Sequence, residues 1–199
     1  MMNPQAVAAQ ARGPQGRLAL GASATWEQSS VSGLDIRRTG VLLNGEAAFS
    51  LSAIQLRVNY RQANLSASTA GNDREFIEGR ALLGLRLGRW VILEAGPLAR
   101  AYVTSGGTER WLLWEGSARF EARVLGPSVT TYAVLSRVLA GDVTDLRRAQ
   151  AGEAGLTLRL GRSPVSAQLG YWIHQTDLAR GLRVETIQGV LLAAGVTVR

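Results

Sequence analysis

The sequence predicts an all-β fold, a transmembrane up-and-down antiparallel β-barrel of ten strands, and three observations lead there. Tight-turn signals recur at Ser52-Ala53, Gly88-Arg89, Gly126-Pro127 and Arg162-Ser163-Pro164, at steps of about 37 residues with a longer polar connection between successive turns. Apolar residues occupy one parity of nearly every run between these signals, and charged or small polar residues occupy the other. The runs last about 11–15 residues, whereas a soluble strand has about 5–6 and a tilted strand needs about 9–11 to cross a bilayer. Closure of such a sheet puts lipid on one face and a polar lumen on the other.

Strand side chains alternate faces, so parity sorts each element. In the first, 17–27, Leu18, Leu20, Ala22, Ala24 and Trp26 oppose Arg17, Ser23, Thr25 and Glu27. In 39–51, Val41, Leu43, Ala47, Phe49 and Leu51 oppose Asn44, Glu46 and Ser50; in 54–64, Ile54, Leu56, Val58 and Tyr60 oppose Gln55, Arg57, Asn59 and Arg61. The clearest is 75–87, where Ile77, Ala81, Leu83, Leu85 and Leu87 face away from Glu78, Arg80 and Arg86. In 90–103, Val91, Leu93, Ala95, Ala99, Ala101 and Val103 oppose Glu94 and Arg100, and Pro97, which has no ladder donor, predicts a local bulge. The sixth, 110–124, sets Leu112, Trp114, Ala118, Phe120, Ala122 and Val124 against Glu115, Ser117, Arg119, Glu121 and Arg123. In 128–139, Tyr132, Val134 and Val138 are read as outward, with Thr131 and Arg137 inward. In 149–160, Ala154, Leu156, Leu158 and Leu160 oppose Glu153, Thr157 and Arg159; in 165–175, Val165, Ala167, Leu169, Tyr171 and Ile173 oppose Ser166, Gln168, Trp172 and His174. The last, 184–198, turns Val190, Leu192, Ala194, Val196 and Val198 outward. A helix is excluded because charge at every second position would wrap around all its sides.

Composition agrees. At 46% hydrophobic residues and a mean hydropathy of +0.05, the chain has no run approaching 18 apolar residues, so it has no transmembrane helix. Without cysteine there is neither a disulfide framework nor thiol chemistry. The net charge of +7 is carried by arginine alone, spread along strands at inward parity rather than gathered on one exposed face, which argues against nucleic acid as a partner. Residues 1–16 stand apart from the barrel, 17–199. They read as a flexible arm or as the remnant of an export signal, since Ala9-Gln10-Ala11 has the small-residue pattern of a cleavage site.

Among outward positions, Trp26, Tyr60, Trp114 and Tyr171 fall near the long-loop ends of their strands, and Phe49 and Phe120 near the short turns. Two such girdles mark the two membrane interfaces. On this architecture, rather than on any motif, the chain from 17 to 199 resembles the small outer-membrane β-barrels of diderm bacteria. The resemblance implies residence in the bacterial outer membrane, termini and short turns on the periplasmic side, and long loops outside. It also implies a terminal aromatic residue, where this chain ends Val196-Thr197-Val198-Arg199, so a truncated end or another assembly signal is expected.

The inward charges form the main candidate site: Glu46, Arg57, Arg61, Glu78, Arg80, Arg86, Glu94, Arg100, Glu115, Arg119, Glu121, Arg123, Arg137, Glu153 and Arg159. Guanidinium forks on one strand meet carboxylates on the next, and a narrow lumen makes pairing close to obligatory, because an unpaired buried charge costs several kcal/mol. The expectation is a salt-bridged, largely plugged lumen in a barrel with a structural or partner-binding role. The alternative is a narrow anion-preferring channel or small-solute carrier. A rim hydrolase is the third reading. It would need His174, the single histidine, near the outer rim and close to Asp177, but no acidic pair or nucleophile accompanies it. No catalytic residue, metal site or cofactor is expected. The connections 28–38, 62–74, 104–109, 140–148 and 176–183 are expected as loops. Arg37-Arg38 and Arg147-Arg148 are placed where lipopolysaccharide phosphates would lie, with the lipid bilayer, and a protein meeting the loops or outer wall, as the other partners.

Overall fold

A computed structural model describes residues 14–68, 71–126, 128–143, 145–161, 163–178 and 183–198. Pro127 and Arg162 of the turn signals, and all but the last three residues of the expected arm, lie outside these. The strands are β1 (Gln15–Val31), β2 (Leu34–Leu51), β3 (Ile54–Ala67), β4 (Arg74–Leu87), β5 (Val91–Thr104), β6 (Gly107–Leu125), β7 (Val129–Gly141), β8 (Leu146–Arg159), β9 (Val165–Leu178) and β10 (Arg183–Val198). Each pairs antiparallel with its chain neighbours, and β1 pairs with β10 to close the barrel. The ten-stranded up-and-down barrel expected from the hairpin rhythm is the fold.

The strands run longer than their alternation, from 13 residues in β7 to 19 in β6. The surplus lies at the rim opposite the chain termini, and there the expected long loops are corrected. β1 and β2 pair up to Val31 and Leu34, leaving only Ser32 and Gly33 between them. Both of these have positive φ, 51° and 83°, as a type I′ hairpin requires. β5 and β6 likewise leave only residues 105 and 106. Much of what was read as loop, including 28–31, 34–38, 62–67, 107–109 and 176–178, is strand that has left the hydrocarbon. Outward positions there, such as Gln28, Arg37, Asn64 and Arg110, are polar because they meet water or headgroups, so the period-two signal fades while the ladder continues.

Pro97 makes no bulge. β5 keeps an unbroken register with β6 across it, and the ladder to β4 lacks only the bridges at Ala81 and Leu82. A proline removes a donor without inserting a residue, so nothing shifts. The irregularities fall between β6 and β7, at Trp114/Glu115 and Arg123/Leu125, and between β8 and β9, at Leu146/Arg148.

The parity of β7 is the second correction. Ser117, Arg119 and Glu121 of β6 face inward, and their cross-strand partners are Ser136, Val134 and Tyr132. Residues directly opposite share a face, so these point into the lumen and Arg137 points out. Hydrophobicity could not decide, because Leu135 and Leu139 make the true outer face apolar as well. Tyr132 finds its place inside because Gly155 and Gly170 of the next two strands leave it a trough. A Cβ at Gly170 would meet the Tyr132 hydroxyl at 2.5 Å. Arg137 lies exposed on the wall between Gly116 and Gln150. Arg137→Leu is therefore expected to leave the folded barrel as stable as wild type or more stable, by up to about 2 kcal/mol. Urea unfolding in lipid vesicles measures this, and a clear loss would return Arg137 to the lumen.

The rest of the wall is apolar. Leu18, Leu20, Val41, Leu43, Leu56, Leu83, Leu112, Leu169 and Leu192 are each about half exposed or more. Together they form a belt around the barrel that water would not tolerate and lipid would. Trp26, Phe49, Tyr60, Trp114, Phe120 and Tyr171 all stand on this outer wall. Trp90, in the turn before β5, is a further exposed aromatic at the terminal rim, with the Arg89 guanidinium 4.2 Å from its ring centre.

Candidate functional site: the lumen and its distal mouth

The inward faces fill the barrel with ion pairs and apolar side chains in tiers. Nearest the terminal rim, Arg57 Nη2 lies 2.9 Å from Glu94 Oε1, and the Ser117 hydroxyl donates to Glu94 Oε2 at 3.2 Å. Asn59 donates to Glu46 at 3.1 Å, Arg119 Nε donates to Glu121 at 2.7 Å, and Arg86 stands 3.8 Å from the same carboxylate. Arg17 donates to Gln168, which donates to the Tyr132 hydroxyl. Arg123 and Arg159 keep inward parity but sit exposed at this rim, where neither makes an ion pair among the described residues.

The middle tier is built on Glu78, which is 1% exposed. It accepts Arg100 Nε at 3.0 Å and Nη2 at 2.6 Å through one oxygen, and Arg80 Nη2 at 3.0 Å through the other. Arg80 continues to Glu115 at 3.1 Å, and Arg61 reaches Glu153 at 2.8 Å, which also accepts from Tyr132 at 3.0 Å. His174 belongs to this tier rather than to the rim. Its Nε2 lies 3.3 Å from Arg61 and its Nδ1 lies 3.1 Å from Arg100, with the Trp172 ring packed edge-on against it. A general base needs a ring nitrogen turned toward a substrate, and here both nitrogens face guanidinium groups. Among the described residues, no cluster of His, Asp and Glu is suited to a metal ion.

A third tier, missed by the sequence reading, lies near the distal rim. Glu27 accepts Arg38 at 2.7 Å and Arg74 at 2.6 Å. Arg74 also reaches Glu185 at 2.7 Å, and Glu185 accepts the Tyr102 hydroxyl. Arg183 spans from Glu109 at 2.7 Å to Glu185 at 3.4 Å. Arg38 is therefore corrected from an outer contact for lipopolysaccharide to a buried lumen residue, while Arg37, Arg147 and Arg148 are exposed. The signal was present in the sequence, because Arg38, Arg74 and Glu185 have the inward parity of their strands. It was lost for Arg38 and Arg74 because their strands were begun one residue too late, while Glu27 and Glu185 lay inside their strands but were not counted among the paired charges.

Between the upper tiers the lumen is apolar, against the expectation of a wholly polar interior. Leu42, Leu65, Phe76, Leu98, Trp111, Leu113, Ile187 and Leu191 pack inward, with Phe76, Tyr102 and Trp111 ring to ring at 5.6 and 5.1 Å. A pocket of about 30 Å³ lies in the lower lumen beside Asn44, Glu46, Arg57, Arg80, Glu94 and Arg119. A larger cavity of about 470 Å³ opens at the distal rim.

No protein-family model and no curated protein sequence matches the chain. Solved structures do. The outer membrane protease OmpT from Escherichia coli is similar in fold at a TM-score of 0.56, with 7% identity over 94% of this chain and 97% of that one. The translocator domain of the autotransporter NalP from Neisseria meningitidis is similar at 0.50, with 11% identity over 93% of this chain and 89% of that one. The fold is that of the bacterial outer-membrane β-barrels.

Proposed function

We propose that the chain is a closed outer-membrane barrel, non-enzymatic, whose lumen is plugged by its own side chains and whose distal rim, turned outward from the cell, serves a structural or partner-binding role. The observation that carries this is the middle tier. Glu78, Arg80, Arg100, Glu115, Arg61 and Glu153 meet across the lumen at hydrogen-bonding distances, and the pocket beside them, about 30 Å³, has room for only a few waters. A hydrated ion would need that network to part. The bilayer is the partner of the apolar wall, and Arg37, Arg147 and Arg148 stand where anionic headgroups, lipopolysaccharide among them, would be met.

One observation favours the narrow anion-preferring channel as a second reading. In the lower lumen Arg17, Arg57, Arg86 and Arg119 outnumber Glu46, Glu94 and Glu121, with Arg123 and Arg159 exposed at the mouth.

Planar-bilayer recording of the wild type and of Arg80→Gln separates the two. A plugged barrel gives no steady conductance, and Arg80→Gln lowers its stability by leaving Glu115 and part of Glu78 unpaired. A water-filled narrow pore gives small anion-preferring events, and the substitution reduces the preference with stability nearly intact. Large, steady, cation-selective conductance overturns both.

A further inference from the structure

The cavity at the distal rim, about 470 Å³, is of the size that encloses small organic molecules, about 300–1,000 Å³. Its wall carries Arg38, Arg74 and Arg183 against one carboxylate, Glu109, with the hydroxyls of Ser29, Thr104 and Thr108 among them. The carboxylates that hold these arginines are not part of the wall. Glu27 and Glu185 lie behind it, 2% and 1% exposed. A solute entering the mouth thus meets guanidinium groups first and their counter-charges second, so the lining is positive although the cluster as a whole is balanced.

The site is also held in place before any ligand arrives. The Arg74 guanidinium stacks 3.6 Å from the centre of the Tyr102 ring, and the Tyr102 hydroxyl is fixed on Glu185. Arg38 is tied to the Asn72 carbonyl at 2.9 Å as well as to Glu27. Preorganised donors lose little freedom on binding. Behind the wall, Tyr102 packs on Phe76 and Trp111 in the buried core, which keeps its ring and hydroxyl in place.

We propose that this vestibule binds a small hydroxylated organic anion, a carboxylate or phosphate ester of monosaccharide size. The guanidinium forks take the oxyanion, the three hydroxyls take the polar face of the carbon skeleton, and Val31 and Ile36 of the wall take its apolar face. The inference deepens the reading of a closed barrel with a working outer mouth and rests on it only for the solute's going no further. Binding is read by titration and closure by conductance, so either fails alone.

The test uses the full chain in phosphatidylcholine nanodiscs, titrated with glucose 6-phosphate, with citrate, and with glucose as the uncharged control. Calorimetry and tryptophan fluorescence are the readouts, since Trp111 packs against Tyr102 of the cavity wall. Saturable, salt-sensitive binding of either anion without binding of glucose is expected, and which anion binds assigns the group within the class. Arg183→Gln should weaken binding by about tenfold or more. Glu109→Gln, a change at an exposed rim position that leaves the fold alone, should tighten it. Arg137→Gln on the outer wall should leave it unchanged. Failure of both anions to bind, equal binding of glucose, or binding indifferent to both vestibule substitutions overturns the proposal.

Discussion

Glu78→Leu is expected to destabilise the folded barrel by about 3–5 kcal/mol, the cost of leaving buried charges without their partner. Glu78 is 1% exposed and neutralises Arg100 through two hydrogen bonds and Arg80 through a third, and His174 and Arg61 lie alongside. Glu115 still pairs Arg80, but no described carboxylate other than Glu78 hydrogen-bonds Arg100. The reference is Glu109→Gln at the distal rim, where the Arg183 pair is partly exposed and its loss is expected to cost less than about 1 kcal/mol. Equilibrium urea unfolding in vesicles, followed by tryptophan fluorescence, compares the two. Should Glu78→Leu cost no more than the rim variant, water fills the middle lumen and the plug does not exist.

Leu83→Arg is expected to cost about 2–4 kcal/mol, the penalty for a cation held near the bilayer midplane. Leu83 is 62% exposed on the outer wall in the apolar stretch of β4, with Leu56 and Ala95 as its cross-strand neighbours. The fraction of chain refolded into bilayers of defined thickness, and its urea midpoint, measure the effect. Wild-type behaviour would mean that this wall does not face lipid. Parity alone suggests that Leu82→Arg, one residue away, would be the milder change because it faces the lumen. The packing changes that expectation. Leu82 is 2% exposed and shares its pocket with Arg57 and Arg80, so another guanidinium there would add like charge in a space without room. Leu82→Glu, which brings a carboxylate to the same two arginines, is expected to be tolerated better than Leu82→Arg.

The sequence by itself determined strand number, order and the lipid face of nine strands, because these follow from short-range facts. A turn needs a step such as Ser52-Ala53 or Gly126-Pro127 at a given place, and a half-buried strand must alternate. The same logic reached Glu78, Arg80, Arg100, Glu115 and Arg61, whose charge at inward parity left them only one another as partners. It failed where the environment stops being two-faced. In β7 both faces are apolar, and only the register with Ser117, Arg119 and Glu121 turned Tyr132 inward and Arg137 outward. Beyond the aromatic row at the distal rim both faces are polar. The continuation of the ladder through Arg38 and Arg74, and with it the ionic wall of the vestibule, existed only in the pairing of strands. Which carboxylate meets which arginine was likewise set by the stagger of the closed sheet, which brings Arg74 to Glu27 and Glu185 from strands far apart in the chain. Alternation is a property of one strand, whereas partnership across a lumen belongs to the barrel.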